Sequence, residues 1–271
     1  MKVTHYLNEK FVSEEELLIS PRDLGLTRGY AVFDFFRTYN RHKPFMFDYH
    51  INRLFNSAES IGLVLPWTKD NVKRIITKTL AKNDKSKEFA LRVIITGGVV
   101  DPTLIVILDE AINFSNSIYE NGIKAITINN KRIRPESKTT FYLDAIQNTH
   151  KMRAEGAEEI LYVHDNYVLE GAYSNFFCII NNKLVTAKDQ VLPGITRLIV
   201  LEKIKLKIPT ETRDIKLNEL NSATEAFLSV SGKGIVPVVK IDDNKVGNGK
   251  VGPITKDIIK KFDDFIASGK W

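Results

Sequence analysis

The chain has 271 residues, 43% of them apolar and 27% charged, with 15 glycines, 9 prolines and one cysteine. This composition excludes a collagen-like or low-complexity chain and a disulfide scaffold, and the length allows one large domain or two modest ones. Lys and Arg number 39 against 33 Asp and Glu, a net charge of +6 that is spread thinly. The densest basic runs, Lys131-Arg132-Ile133-Arg134 and residues 203–207, lack the aromatic platforms of a nucleic-acid binder and read as solvated surface. Cys178, inside Phe176-Phe177-Cys178-Ile179-Ile180, reads as a buried inert thiol. The first six residues hold no signal-peptide core, and no apolar stretch approaches the roughly 18 residues of a membrane span, so a soluble cytoplasmic protein is expected. His5, His42, His50, His150 and His164 show no metal-ligand grouping, and no metal is expected.

In chain order, the first ten residues read as two short strands around Asn8-Glu9-Lys10, and the aromatic run 30–39 as a longer strand. Ile51, Leu54, Phe55, Ala58 and Ile61 fall at helical spacing, closed by Gly62. A second helix over 69–82 is capped by Thr68. Residues 89–96 and 103–108 form a hairpin across Gly97-Gly98 and Asp101-Pro102. The polar stretch 115–122 is expected to connect a small α+β domain, 1–114, to a larger one, 123–271. In the second part, residues 140–156 read as one helix. Short strands then turn at Asp165-Asn166 and Asn181-Asn182, and a helix starts after Gly194. Two more strands, 226–230 and 235–241, precede a last helix opened by Pro253.

Five places could carry chemistry. Arg53 flanks the apolar helix face and is either snorkelling or a fixed guanidinium for a phosphate. Gly194-Ile195-Thr196-Arg197 opens a helix whose amides suit an anion. Lys138 is a surface lysine or, with its amine perturbed, a nucleophile. Glu170 is a turn acid or a carboxylate held beside a pyridine nitrogen. The small residues of Ser229-Val230-Ser231-Gly232-Lys233-Gly234 form a flexible loop or bring backbone amides close to an anion.

Order and spacing join them. HINRL with Arg53, then Lys138, LEGAYSNFF with Glu170, LPGITR, SGKGIVPV and GNGKVGPIT follow one another over nearly the whole chain. The series resembles the fold-type IV pyridoxal-phosphate aminotransferases, which include the branched-chain and D-amino acid aminotransferases and 4-amino-4-deoxychorismate lyase. The resemblance implies an α+β, two-domain fold: a small α+β domain and a larger pseudo-barrel with outer helices. It implies pyridoxal 5'-phosphate as cofactor, amino acid and 2-oxo acid substrates, a homodimer, and no nucleic-acid or membrane partner.

Residue by residue, the resemblance makes Lys138 the Schiff-base lysine and acid/base, and Glu170 the partner of the pyridine nitrogen. Arg53, Ile195, Thr196 and Ser231 then hold the phosphate. Tyr142 takes the place of the tyrosine on the ring hydroxyl, one residue closer to the lysine than in the branched-chain pattern. Gly232 and Lys233 lie at the substrate carboxylate, and Phe33 or Tyr30 lines the substrate pocket. Two departures stand out. RGYAVFDFFRTY (28–39) lacks the family's paired glycines and four of its residues. Gly97 stands where the D-amino acid enzymes and the lyase carry an arginine, leaving Arg37 or Lys233 to meet a carboxylate. The leading expectation is a transaminase. The alternatives are the lyase, which releases pyruvate, and a cofactor-binding protein without turnover.

Overall fold

A computed structural model describes residues 3–271; Met1 and Lys2, part of the expected first strand region, lie outside the described residues. The chain divides into two compact units, Met1–Asn113 with Ser137–Phe141, and Phe114–Glu136 with Tyr142–Trp271. The fold is α+β, and the short segment carrying Lys138 belongs with the first unit.

The first unit holds β1 (His5–Leu7), β2 (Lys10–Val12), α1 (Leu24–Arg28), β3 (Ala31–Tyr39), β4 (Lys43–Pro44), α2 (Phe47–Ser60), α3 (Lys69–Ala81), β5 (Phe89–Thr96) and β6 (Thr103–Glu110). Its six-stranded sheet runs β2-β1-β6-β5-β3-β4. Along β3 buried and half-buried residues alternate, because successive side chains leave a strand on opposite faces. Val32 and Phe36 therefore share the core face and meet Ile51, Leu54 and Ala58 of α2 and Val72 and Ile76 of α3. Thr68 starts α3 through a reciprocal cap: its hydroxyl accepts from the Asn71 amide at 3.1 Å, and the Asn71 side chain accepts from the Thr68 amide at 3.2 Å.

The second unit holds α4 (Ser117–Asn121), β7 (Ile123–Asn129), α5 (Leu143–Gln147), α6 (Thr149–Ala154), β8 (Glu159–His164), β9 (Tyr167–Gly171), β10 (Asn175–Ile180), β11 (Lys183–Thr186), α7 (Ile195–Leu198), β12 (Thr210–Thr212), β13 (Ile215–Lys216), β14 (Glu225–Val230), β15 (Gly234–Ile241), β16 (Asn244–Lys245) and α8 (Pro253–Ser268). Strands β10, β14, β15, β7, β8 and β9 pair in that order, and β9 returns to β10 through Glu170 opposite Asn175. The ring is thus a closed six-stranded barrel, which removes the free edges of its member strands. Phe176, Cys178, Leu228, Val236, Leu161 and Val168 are among the residues of its core. Burial pushes the Cys178 thiol up to about 12, so it stays protonated in the fold.

Two stretches differ from expectation. The single helix expected over 140–156 is two, α5 and α6. Thr140 lies in a bend and donates its amide to the Ala31 carbonyl, and α5 ends at Asn148, whose amide and side-chain Nδ2 both donate to the Asp144 carbonyl, at 3.2 and 2.8 Å, before α6 begins. Residues 115–122, read as a connecting segment, carry α4, whose Tyr119 hydroxyl donates to the Lys233 carbonyl at 2.8 Å. Among the described residues no helix is long and apolar enough to cross a membrane.

Candidate active site

In the first unit, α2 presents a polar stripe on a face otherwise given to the core. His50, Arg53, Ser57 and Ser60 recur at steps of three, four and three residues, which places them on one side of the helix. Arg53 neither snorkels nor reaches solvent. It is 6% exposed, and its Nε and Nη2 donate to the two Asp34 carboxylate oxygens, each at 2.8 Å. His50 Nδ1 lies 2.7 Å from Asp34 Oδ1, and the His50 ring stacks on Phe36. Asp34 is fully buried on β3. Burial alone would raise its carboxyl, but the Arg53 and His50 charges and hydrogen bonds hold it well below the usual carboxylate range. Against an ionised carboxylate, His50 carries its proton on Nδ1.

The other half of the stripe holds the lysine. The Lys138 amide donates to Ser57 Oγ at 3.0 Å, and the Ser137 and Ser60 hydroxyls are 2.6 Å apart. On its far side the segment pairs with β3: Phe33 donates its amide to the Lys138 carbonyl at 2.9 Å, and Val32 bridges Thr139. Lys138 is thus tied to α2 and β3 at once, and its ammonium lies 4.5 Å from the centre of the Phe33 ring. At Gly97, a Cβ would come 2.5 Å from the Tyr30 ring, so the tyrosine fills the place a larger residue would need.

In the second unit, Glu170 and the LPGITR loop meet at the seam of the barrel. Between β8 and β9 the register shifts: from the pair Leu161–Gly171 to the pair Val163–Val168, Tyr162 alone on β8 faces Leu169 and Glu170 on β9, a bulge that contains Glu170. Val168 points into the barrel core, whereas Glu170 meets Asn175 and the LPGITR loop. Glu170, 3% exposed, accepts from the Leu192 amide at 2.8 Å, from Asn175 Nδ2 at 3.3 Å and from Arg132 Nη1 at 3.3 Å. Arg132, read from sequence as solvated surface, is buried and also lies 5.6 Å from the centre of the Tyr142 ring. Tyr142 in turn stacks on Tyr173, centroids 5.4 Å apart.

Asn175 also donates to the Leu192 carbonyl at 2.8 Å, and its Oδ1 would sit 1.9 Å from a Cβ on Gly194. Glycine is therefore the only residue that lets the loop close on β10 before α7 begins. No side chain caps the start of α7, where Ile195 and Thr196 are both buried. Ser229 pairs with Asn175 across β10 and β14, and its buried hydroxyl has no partner among the described residues. Ser231, Gly232 and Lys233 form the turn from β14 to β15, with the Lys233 ammonium 5.2 Å from the Phe114 ring centre.

The sequence reading missed Asp34, Ser57, Ser60, Arg132 and Asn175. The α2 residues had a visible signal, polar side chains at helical spacing on an apolar face. Asp34 had one too, an acid between aromatic residues on its strand, and Asn175 is the lone polar residue of β10. Arg132 had none beyond its basic neighbours.

A closed barrel and an α+β partner unit, with a buried carboxylate at the barrel seam and a lysine pinned by its backbone, define a class of enzyme. Residues 31–241 match the family model for amino-transferase class IV. A putative branched-chain-amino-acid aminotransferase of Methanocaldococcus jannaschii is 33% identical, over 96% of this chain and 95% of its own. A D-alanine aminotransferase of Listeria monocytogenes is 30% identical, over 94% of this chain and 93% of its own. The branched-chain aminotransferase from Thermoproteus uzoniensis, crystallised with norvaline, superposes with a TM-score of 0.89 at 25% identity, covering 100% of this chain and 96% of its own. The chain belongs to amino-transferase class IV, a family of pyridoxal-phosphate-dependent transaminases.

The described residues fit that cofactor. A phosphate asks for unsatisfied donors, and the uncapped start of α7 and the partnerless Ser229 hydroxyl both belong to residues that adjoin Asn175. A protonated ring nitrogen asks for a fixed acceptor, and three donors hold the Glu170 carboxylate in place.

The buried charges in the first unit make stability depend on pH. His50 ionises near 6.5 in an unfolded chain; burial lowers it in the fold, helped by the Arg53 and Lys138 charges, against the pull of Asp34. Below 6.5 the unfolded chain takes up a proton that the folded chain refuses, so stability falls as pH falls, by up to about 1.4 kcal/mol per pH unit. Asp34 adds a loss of the same sign at lower pH, below its unfolded value of 3.8. Thermal melts from pH 8 to pH 5 should show a falling midpoint, and His50→Gln should flatten that slope. An unchanged slope in the variant would assign the dependence elsewhere.

Proposed function

We propose that this chain transfers an amino group between an amino acid and a 2-oxo acid, with Lys138 as the cofactor's covalent anchor and as acid/base. The observation that carries the reading is the buried Glu170 carboxylate, fixed by the Leu192 amide, Asn175 and Arg132 where the barrel closes. Pyridoxal phosphate supplies an electron sink that stabilises negative charge at the substrate α-carbon. Glu170 keeps a proton on the ring nitrogen, which is what makes that sink effective. Arg53, the amides of Ile195 and Thr196, the Thr196 hydroxyl and Ser231 hold the phosphate. Tyr142 orients the ring through its hydroxyl. The Lys138 amine would take the proton from the substrate α-carbon and deliver it to the carbon that carried the cofactor's aldehyde. Phe33 offers an apolar wall to the substrate side chain, and Gly232 and Lys233 meet its carboxylate. We also read the protein as a cytoplasmic homodimer, the first on its lone buried cysteine and the second on the family resemblance.

A panel of amino acids tests the reading. Branched-chain L-amino acids head it and D-alanine follows, because the M. jannaschii and L. monocytogenes relatives carry those names. The proposal expects loss of the cofactor's visible band with one donor and its return on adding a 2-oxo acid, with the matching keto product formed. Pyruvate and an aromatic amine from aminodeoxychorismate, with no amino transfer, would identify the lyase instead.

A further inference from the structure

We propose that Asp34 is a positioning residue for the cofactor phosphate, fixing the Arg53 guanidinium on the frame that also holds the Lys138 backbone. The inference rests on the reading of Arg53 as a phosphate residue and goes beyond it. Asp34 engages Arg53 along one edge, Nε to Oδ2 and Nη2 to Oδ1, both at 2.8 Å. Two parallel bonds fix the plane and the direction of the guanidinium, where a single bond would leave it to rotate. Fixing that plane fixes the direction in which the remaining guanidinium N–H groups point. A second contact steadies the carboxylate from the other side, His50 Nδ1 at 2.7 Å from Oδ1.

The frame explains why an aspartate on this strand has the task. Asp34 follows Phe33, whose amide binds the Lys138 carbonyl. Arg53 lies one helical turn before Ser57, which accepts from the Lys138 amide. Strand β3 and helix α2 thus each hold both the lysine and the arginine. Pyridoxal phosphate carries its aldehyde and its phosphate-bearing methylene on adjacent ring carbons, a short span, so a shared frame for amine and guanidinium matches a ligand gripped at both groups. Moving the carboxylate by one methylene would tilt the guanidinium while leaving the charge in place.

The test compares pyridoxal phosphate with pyridoxal, which lacks the phosphate, on full-length apoprotein, using the visible band to measure both affinities. The bound phosphate is followed by its phosphorus NMR resonance. Asp34→Asn is expected to cut the preference for the phosphorylated ligand roughly ten- to a hundredfold, leave pyridoxal affinity nearly unchanged, and shift the phosphorus resonance. Asp34→Glu should lose part of the preference, at least several-fold, and it decides the matter by the same ratio if the asparagine variant does not fold. Arg53→Met, in the same assay, separates the two readings. If Arg53→Met loses the preference and both Asp34 variants keep it, the positioning role is overturned and the arginine's role stands. If Arg53→Met keeps the preference, the phosphate reading of Arg53 has failed and this inference falls with it.

Discussion

Replacing Lys138 by alanine should lower transamination about ten-thousand-fold while leaving the fold intact. A positioned acid/base contributes roughly 10²- to 10⁴-fold to a rate, and the upper end applies because one amine is proposed both to anchor the cofactor and to move the proton. The backbone at this position is held by Ser57 and Phe33 through main-chain atoms that alanine keeps, so the segment stays docked on α2 and β3. The measurement is the single-turnover rate of the amino half-reaction, with circular dichroism as the control for folding. A small added amine should restore part of the rate, since it can move the proton without being tethered. A variant within tenfold of the parent would remove Lys138 from the chemistry.

The second large effect falls on Glu170. Glu170→Gln should lower the same rate by about a hundred- to a thousandfold while cofactor binding persists, the loss typical of one preorganised electrostatic group at a reacting centre. A glutamine is nearly isosteric but carries no charge to keep a proton on the ring nitrogen. Its amide would also face donors, because the Leu192 amide, Asn175 Nδ2 and Arg132 Nη1 all point at this side chain. A displaced absorption maximum should accompany the loss. An unchanged rate would mean that the carboxylate serves the barrel seam alone.

The sequence announced the parts of the fold that rest on local periodicity. The α2 stripe of Ile51, Leu54 and Ala58, the alternation along residues 31–39 and the Asn-rich hairpin turns are all where their patterns put them. Asp165, Asn166, Asn181 and Asn182 have positive φ, as tight hairpins with side chains that tolerate it require. The helix break at Asn148 was hidden, since no Gly or Pro marks it and the Asn148 amide still bonds to the Asp144 carbonyl one turn back.

At the candidate site, residues inside a contiguous motif were legible, whereas their supports were not. Glu170 and Thr196 stand in recognisable runs. Arg132 reaches Glu170 from 38 residues away, and Asp34 reaches Arg53 from 19, so neither contact has a local trace. The bulge at Leu169 and Glu170 is equally silent, because it arises from the pairing of β8 with β9 and not from either strand by itself.

The measurement that tests the central claim most directly is borohydride reduction of the purified protein, followed by digestion and mass mapping of the cofactor-bearing peptide. The account predicts that the reduced cofactor is carried by Lys138, at one site per chain. A cofactor mapped to any other lysine, or a chain that retains none after incubation with pyridoxal phosphate, would contradict it.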